Sequence, residues 1–193
     1  MKAVLFVAAL ALALFVAAAG ATRSTTPEPS AHLVRFAISG RSIASRFPVG
    51  PSIAFRYPAN WLVTTRRLDP VLDPRTLFAV STYPLNKGAV DNCDGTHARG
   101  RPSDGVFVLV KEVLDGASLT RSLPRLPARP RGFQLPSRGR AGCLAPPSVA
   151  YQFRVGLRAF YVLISVGPTA SARTRAATLA LLDTMSIARY PTP

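Results

Sequence analysis

Residues 149–166, VAYQFRV-GLR-AFYVLISV, contain the strongest fold signal in the chain. Two runs of alternating side chains flank Gly156-Leu157-Arg158, a short connection that begins with the residue best suited to a tight turn. A period of two is typical of a strand that buries one face. The apolar face of the second run consists of Phe160, Val162, Ile164 and Val166. We therefore predict an antiparallel hairpin from Val149–Val155 and Ala159–Val166.

The residues after the hairpin predict a helix and a closing strand. Gly167 and Pro168 end the second strand, and either Thr169 or Ser171 can cap a helix that continues to Asp183. Met185 to Ala188 is typical of a short final strand. Arg173 and Arg175 are expected to face water. The apolar stripe expected to face the core consists of Ala172, Ala176, Leu179, Ala180 and Leu182.

Further strands are predicted upstream, which makes the expected domain an antiparallel sheet with helices. The predicted strands are 52–57, 61–67, 77–82 and 105–113, with a turn at 58–60 between the first two. Aromatic residues flank that turn at Phe55, Tyr57 and Trp61. A ligand-stacking platform is one interpretation, but aromatic residues that alternate along a strand usually belong to the core.

Two long loops separate the strands, and each contains one of the two cysteines. Residues 84–104 are polar and contain Cys93, whereas prolines and arginines exclude a regular helix over 118–147, which contains Cys143. An even number of cysteines in an exported chain predicts a disulfide between them. Since no C-x-x-C spacing occurs, a redox motif and a zinc site are the weaker interpretations.

The amino terminus predicts export. Residues 1–21 combine a positive start, a long apolar run and a small-residue cleavage pattern at Ala19-Gly20-Ala21, as in a signal peptide. The alternative is an uncleaved membrane anchor, because the run is close to the length that spans a bilayer. Residues 22–51 are expected to form a flexible tether and irregular lead, in which 32–51 could contain one strand or short helix, followed by a single domain over 52–190. The expected location is secreted or extracytoplasmic.

The formal charge of +15 suits an anionic partner. No carboxylate side chain occurs between Asp115 and Asp183, a stretch that holds many arginines. The expected partner is an anionic envelope polymer, lipid head groups or a protein. The competing interpretation is that arginine is used only for solubility in a chain rich in alanine, proline and glycine. The candidate anion-binding residues are Arg121, Arg125, Arg129, Arg131, Arg138 and Arg140.

A nucleic-acid partner is not expected. Proteins that bind single strands usually stack several aromatic rings on the bases. Phe133 alone accompanies the arginines of the second loop. Export of the chain also argues against a nucleic-acid partner.

Catalysis is not predicted, and neither a metal nor a cofactor is expected. The alternative is a secreted hydrolase or metal-binding protein that uses Asp91, Asp94 and His97, where carboxylates could hold a hard cation. A closing glutamate of the EF-hand type is absent from this loop, and Asp94-Gly95 is more typical of a solvated turn. With two histidines and no G-x-S-x-G elbow, a serine hydrolase has little support.

Two segments resemble PsbP-like domains. Residues 55–61, FRYPANW, are similar to the F-x-Y-P-x-x-W opening of that family. The tail, from Arg158-Ala159-Phe160-Tyr161-Val162 to Leu181-Leu182-Asp183-Thr184-Met185, is similar to its closing strand, helix and strand. The resemblance implies an α+β fold, an α/β/α sandwich around an antiparallel sheet. It also implies an accessory, docking or assembly factor without a shared catalytic site.

Overall fold

The computed structural model describes residues 26–40, 50–85, 97, 100–114, 121, 123–142 and 144–188. Eight strands, a 13-residue α-helix and one 3₁₀ turn are delimited in this part of the chain, and His97 and Arg121 are also helical. The strands are β1 (Leu33–Gly40), β2 (Gly50–Pro58), β3 (Leu62–Thr64), β4 (Arg75–Ser81), β5 (Val106–Val113), β6 (Ser148–Val155), β7 (Arg158–Val166) and β8 (Ser186–Ile187). The helix α1 spans Ala172–Thr184, and the 3₁₀ turn spans Leu123–Arg125.

The strands form two antiparallel sheets. The three-stranded sheet has the order β1-β2-β8, and the five-stranded sheet has the order β3-β4-β5-β7-β6. Together with α1 they agree with the predicted α+β class. The predicted hairpin is confirmed, since Val149 pairs with Ile164 and Phe153 with Phe160 in one uninterrupted antiparallel register.

Strand β5 lies at the centre of the five-stranded sheet and is buried on both faces. Val106, Val108 and Val110 face the main core, which also contains residues of β2 and the end of α1. Phe107 and Leu109 face a second cluster, which includes Leu68, Tyr83 and Leu144. The second face is thus covered, among the described residues, mainly by loops. Trp61 and Phe55 belong to the main core, as the strand alternation predicted.

Residues 26–40 differ from the flexible lead expected for 22–51. The Thr26 amide donates a hydrogen bond to the Asp104 carboxylate at 2.6 Å, and the Ser30 amide donates to Asn60 Oδ1 at 2.8 Å. Strand β1 then pairs with β2 along most of its length. The short apolar pieces around Phe36 allowed one strand or a short helix, and the structure has a strand there because it pairs with β2. Residues 22–25 and 41–49 lie outside the described part.

Helix α1 begins at one of the two predicted caps and buries only part of the predicted stripe, in which Leu182 is buried and Leu179 is half-buried against the main core. The Ser171 hydroxyl accepts a hydrogen bond from the Thr174 amide at 3.1 Å, which caps the helix. The stripe expected from Ala172, Ala176 and Ala180 is wrong, because these three alanines are exposed. The buried residues are Thr174, Thr178, Leu181 and Leu182.

Threonine can occupy the buried face of α1 because its hydroxyl bonds to the preceding turn. Thr178 Oγ1 donates to the Thr174 carbonyl at 2.8 Å, so the polar group is satisfied inside the helix. Arg173 is exposed, as predicted. Arg175 instead turns back and donates to the carbonyls of Ala170 and Gly167.

Buried ion pairs close one end of the five-stranded sheet. Glu112 lies between Arg158 and Arg75, at 2.6 Å and 2.8 Å respectively, and the Glu112 and Arg158 side chains are only 2% and 4% exposed. On the opposite face Lys111 pairs with Asp69 at 2.6 Å. An unpaired charge at such depth costs several kcal/mol. The ion pairs therefore favour the observed alignment of the strand ends over alternatives that would separate the charges.

Candidate anion-binding surface

The arginine-rich segment 123–142 lies along the outer side of β6. At one end the Arg154 amide donates to the Pro127 carbonyl at 2.9 Å. Tyr151 bonds both main-chain groups of Gln134, donating to its carbonyl at 2.8 Å and accepting from its amide at 2.9 Å. At the other end the Ser148 amide donates to the Gly139 carbonyl at 3.1 Å. The segment therefore follows β6 over roughly 20 Å, given about 3.3 Å per residue.

Phe133 holds the segment to the body of the protein. Its ring is buried in the main core and meets Tyr151 and Phe153 edge-on, with ring centroids 5.2 Å and 6.1 Å apart. The single aromatic residue of the loop is therefore a structural anchor. It is not a base-stacking group on the surface.

Four predicted arginines of this segment are exposed, and we call them the basic strip. They are Arg125, Arg131, Arg138 and Arg140. No ion pair joins any of them to another described residue. Arg121 is also exposed. The segment that bears the basic strip follows β6 from Arg154 to Ser148. The positive charges are therefore spread along one edge of the sheet.

Arg129 differs from the other predicted arginines because it is partly buried against the end of α1. Its guanidinium donates to the Leu182 carbonyl at 2.7 Å and lies 5.4 Å from the centroid of the Phe133 ring. Burial lowers the pKa of Arg129, and the charge of Asp183 opposes that shift. Arg129 thus satisfies carbonyls at the helix carboxyl end, a favourable place for a cation.

A cleft of about 560 Å³ opens beside Arg129. It lies where the arginine-rich segment, the end of β6 and strand β8 meet. Its lining residues are Ala128, Arg129, Arg154, Val155, Gly156, Met185, Ser186 and Ile187. Two cations and several apolar side chains therefore share one concave surface.

Arg154 is not among the anion-binding residues predicted from the sequence, where it contributes only to the net positive charge. The Arg154 side chain is exposed, and its Nε donates to the Leu126 carbonyl at 3.2 Å. A signal was present: Ala150, Gln152 and Arg154 alternate with larger residues and so share the outward face of the predicted strand. No sequence pattern places Arg154 beside Arg129.

His97 lies on the second face of the five-stranded sheet. Its ring is buried and packs on Phe107 with centroids 6.4 Å apart, and its carbonyl accepts a hydrogen bond from the Tyr83 hydroxyl at 2.8 Å. Burial raises the pKa of Tyr83, which the nearby charge of Arg101 partly opposes. Asp91 and Asp94 lie outside the described residues, so the cation site or hydrolase that would use them with His97 remains a prediction.

The predicted disulfide also falls outside the described part, because Cys93 and Cys143 both do. Residues 1–21, the predicted signal peptide or anchor, lie outside it as well. Among the helices that the structure describes, none is long and apolar enough to cross a membrane.

Comparisons with protein-family models, with curated proteins and with solved structures found no match to this chain.

Proposed function

We propose that this protein is an exported, non-catalytic binding or accessory protein of the cell envelope, and that it docks on an extended anionic partner through the basic strip. The observation that supports the proposal most directly is the exposure of four arginines without ion-pair partners among the described residues, along roughly 20 Å of one sheet edge. Cations at such spacing suit many weak contacts to a polymer or a layer of head groups better than one small ligand.

The rigidity of the segment supports the same proposal. A flexible basic loop would lose conformational entropy when it ordered on its partner. Here Phe133 and the Tyr151 hydroxyl already fix the main chain against β6. The arginine side chains are thereby presented from an ordered backbone.

Export and the disulfide belong to this proposal. Leu144, which follows Cys143, lies in the second core cluster with Phe107, and the His97 ring also packs on Phe107. The chain on the carboxyl side of each cysteine thus reaches the same cluster, which supports a bridge between the two loops.

The PsbP-like sandwich is likewise a proposal, supported by the Pro58 turn with its buried Trp61 and by the order strand, helix, strand at the carboxyl end.

Vesicle binding tests the docking surface. The triple variant Arg131→Ser, Arg138→Ser, Arg140→Ser is compared with the unaltered protein in cosedimentation with phosphatidylglycerol vesicles and with a soluble polyanion. Since each basic residue near an anionic surface contributes about 1 kcal/mol, we expect affinity to fall on the order of 100-fold at low salt. Binding should weaken further as salt rises towards about 1 M, where screening acts within about 3 Å.

A matched variant separates position from net charge. Arg35, Arg56 and Arg173 are exposed and lie on β1, β2 and α1, outside the strip. Changing these three to Ser removes the same charge and is expected to lower affinity much less. Equal losses in both triple variants, or binding that ignores salt, would refute the proposed surface.

A further inference from the structure

We propose that the cleft beside Arg129 binds a single anionic amphiphile, that is, a phosphate or carboxylate group carried on an apolar chain. The inference extends the proposed function, because it identifies one ligand class at the end of the docking surface. It depends on different residues from the basic strip and can therefore fail separately.

The anionic end of the ligand is indicated by two arginines with donors to spare. Arg154 uses its Nε on the Leu126 carbonyl, and its two terminal nitrogens have no hydrogen-bond partner among the described residues. Arg129 uses one terminal nitrogen, Nη2, on the Leu182 and Asp183 carbonyls, and its guanidinium keeps its positive charge beside the cleft. Because hydrogen bonds between a guanidinium and an anionic oxygen are charge-assisted, the terminal donors of Arg154 next to the Arg129 charge suit a phosphate or carboxylate.

The charge balance of the cleft also favours an anion. Arg129 and Arg154 line it directly, whereas no acidic residue of the described chain does. Asp183 is the carboxylate close to Arg129, and its Oδ1 already accepts a hydrogen bond from the Phe133 amide at 3.2 Å. Burial disfavours the charged form of Arg129, so an incoming anion would also offset that penalty.

The apolar end of the ligand is indicated by the rest of the lining. Met185 is buried, and Val155 and Ile187 are half-buried where they line the cleft. Methionine side chains adapt to irregular apolar ligands. A cleft of about 560 Å³ is within the size range of small-ligand sites and exceeds what an isolated phosphate group needs. An amphiphile uses both halves of the lining, whereas a free inorganic anion uses one.

Calorimetric titration of the full-length protein tests this proposal with three probes. These are decyl phosphate below its micelle concentration, inorganic phosphate, and uncharged decyl maltoside. We expect one saturable site for decyl phosphate, and affinities at least about tenfold lower for the other two, since each lacks one half of the interaction. Equal affinity for inorganic phosphate would overturn the amphiphile assignment and leave a simple anion site.

Three substitutions place the site. Arg154→Gln is expected to lower decyl phosphate affinity about tenfold through loss of a charge-assisted hydrogen bond. Ala128→Glu adds a carboxylate at an exposed lining position and should lower it at least as much. Arg138→Gln changes an exposed cation outside the cleft and should leave it unchanged. If the first two variants bind like the unaltered protein, or if Arg138→Gln weakens binding equally, the cleft is not the site.

The two proposals give separable results. The triple variant of the basic strip should lose vesicle binding while it retains decyl phosphate binding. Loss of vesicle binding in that variant, together with an Arg154→Gln variant that binds decyl phosphate as tightly as the unaltered protein, would support the strip and overturn the cleft.

Discussion

At Gly167 two chain segments approach so closely that no side chain fits between them. The Gly167 amide donates to the Gly105 carbonyl at 2.7 Å, and a Cβ atom built at residue 167 would lie 2.0 Å from the Ser103 carbonyl oxygen. The obstacle is main chain, which cannot rotate away as a flexible side chain would. Close approach of backbones explains why glycine is needed here without any unusual dihedral angle.

Gly167→Ala is therefore expected to destabilise the fold by about 3 kcal/mol, as overpacking of a buried site does. The measurement is the urea midpoint of unfolding. Gly132→Ala is the matched control, since nothing lies within 4 Å of its Cβ position, and its effect should stay within about 0.5 kcal/mol. Equal midpoints for the two variants would show that the Ser103 contact is relaxed in solution.

Glu112 also acts at the scale of a residue. It joins Arg75 and Arg158, which lie on the two strands that flank β5. The Arg158 guanidinium additionally lies 4.9 Å from the centroid of the Phe160 ring. One carboxylate thus fixes cations on both neighbouring strands, and its loss would leave Arg158 buried without its acid partner.

At the scale of elements, the Tyr151 hydroxyl is one of the contacts that hold the arginine-rich segment against β6. Tyr151 Oη bonds both the amide and the carbonyl of Gln134, while the Tyr151 ring contacts Phe133. A side chain on β6 therefore bonds the main-chain groups of Gln134 as a neighbouring strand would.

Tyr151→Phe is expected to loosen the segment without removing its ring contact. Each lost hydrogen bond contributes about 1 kcal/mol, so the Gln134 amide should exchange with solvent on the order of 10-fold faster in hydrogen-exchange measurements. Tyr161→Phe on β7 is the control, because no described residue bonds its hydroxyl. Unchanged protection of Gln134 in Tyr151→Phe would contradict the anchoring role.

The elements differ in how far the sequence predicts them, and the reason is the range of the forces involved. The hairpin, the turn at Pro58 and the Ser171 cap depend on neighbours in the chain, and each was predicted. Strand β1 depends on pairing with β2, and the short apolar pieces around Phe36 allowed a strand or a short helix without deciding between them. The buried face of α1 was predicted only in part: Leu182 is buried as expected, whereas threonine takes core positions expected for alanine because its hydroxyl bonds within the helix.

The same distinction applies to the candidate site. The basic character of residues 121–140 follows from composition alone. The inward turn of Arg129 does not, because it depends on the end of α1, more than 50 residues later in the chain. Arg154 joins Arg129 only through tertiary contact between the segment and β6.

At the scale of the whole molecule, the two faces of the five-stranded sheet are covered differently. The main core lies under the second sheet and α1, whereas the described cover of the other face consists mainly of loops. Loops contribute fewer mutually supporting hydrogen bonds than a helix or sheet layer. A covalent connection between them would compensate, which gives the proposed Cys93–Cys143 bridge a structural purpose.

Reduction of the native protein is expected to lower its stability by roughly 4 kcal/mol, the chain-entropy value for closing a loop of about 50 residues. Urea unfolding with and without reductant measures this change. Mass spectrometry of the unreduced digest should show the two cysteine peptides joined. A Cys93→Ser, Cys143→Ser variant serves as control, since reductant should not affect it. Two free thiols in native material would refute the bridge.

The position of the arginine-rich segment has a consequence for solubility. Without it, β6 would be an exposed edge strand with unpaired amide and carbonyl groups. Such an edge can pair with strands of other chains and start fibre formation. The carbonyls of Pro127 and Gly139 accept hydrogen bonds from part of that edge, and the exposed arginines repel a second, equally charged molecule. The surface proposed to recruit a partner thus also protects the molecule from self-assembly.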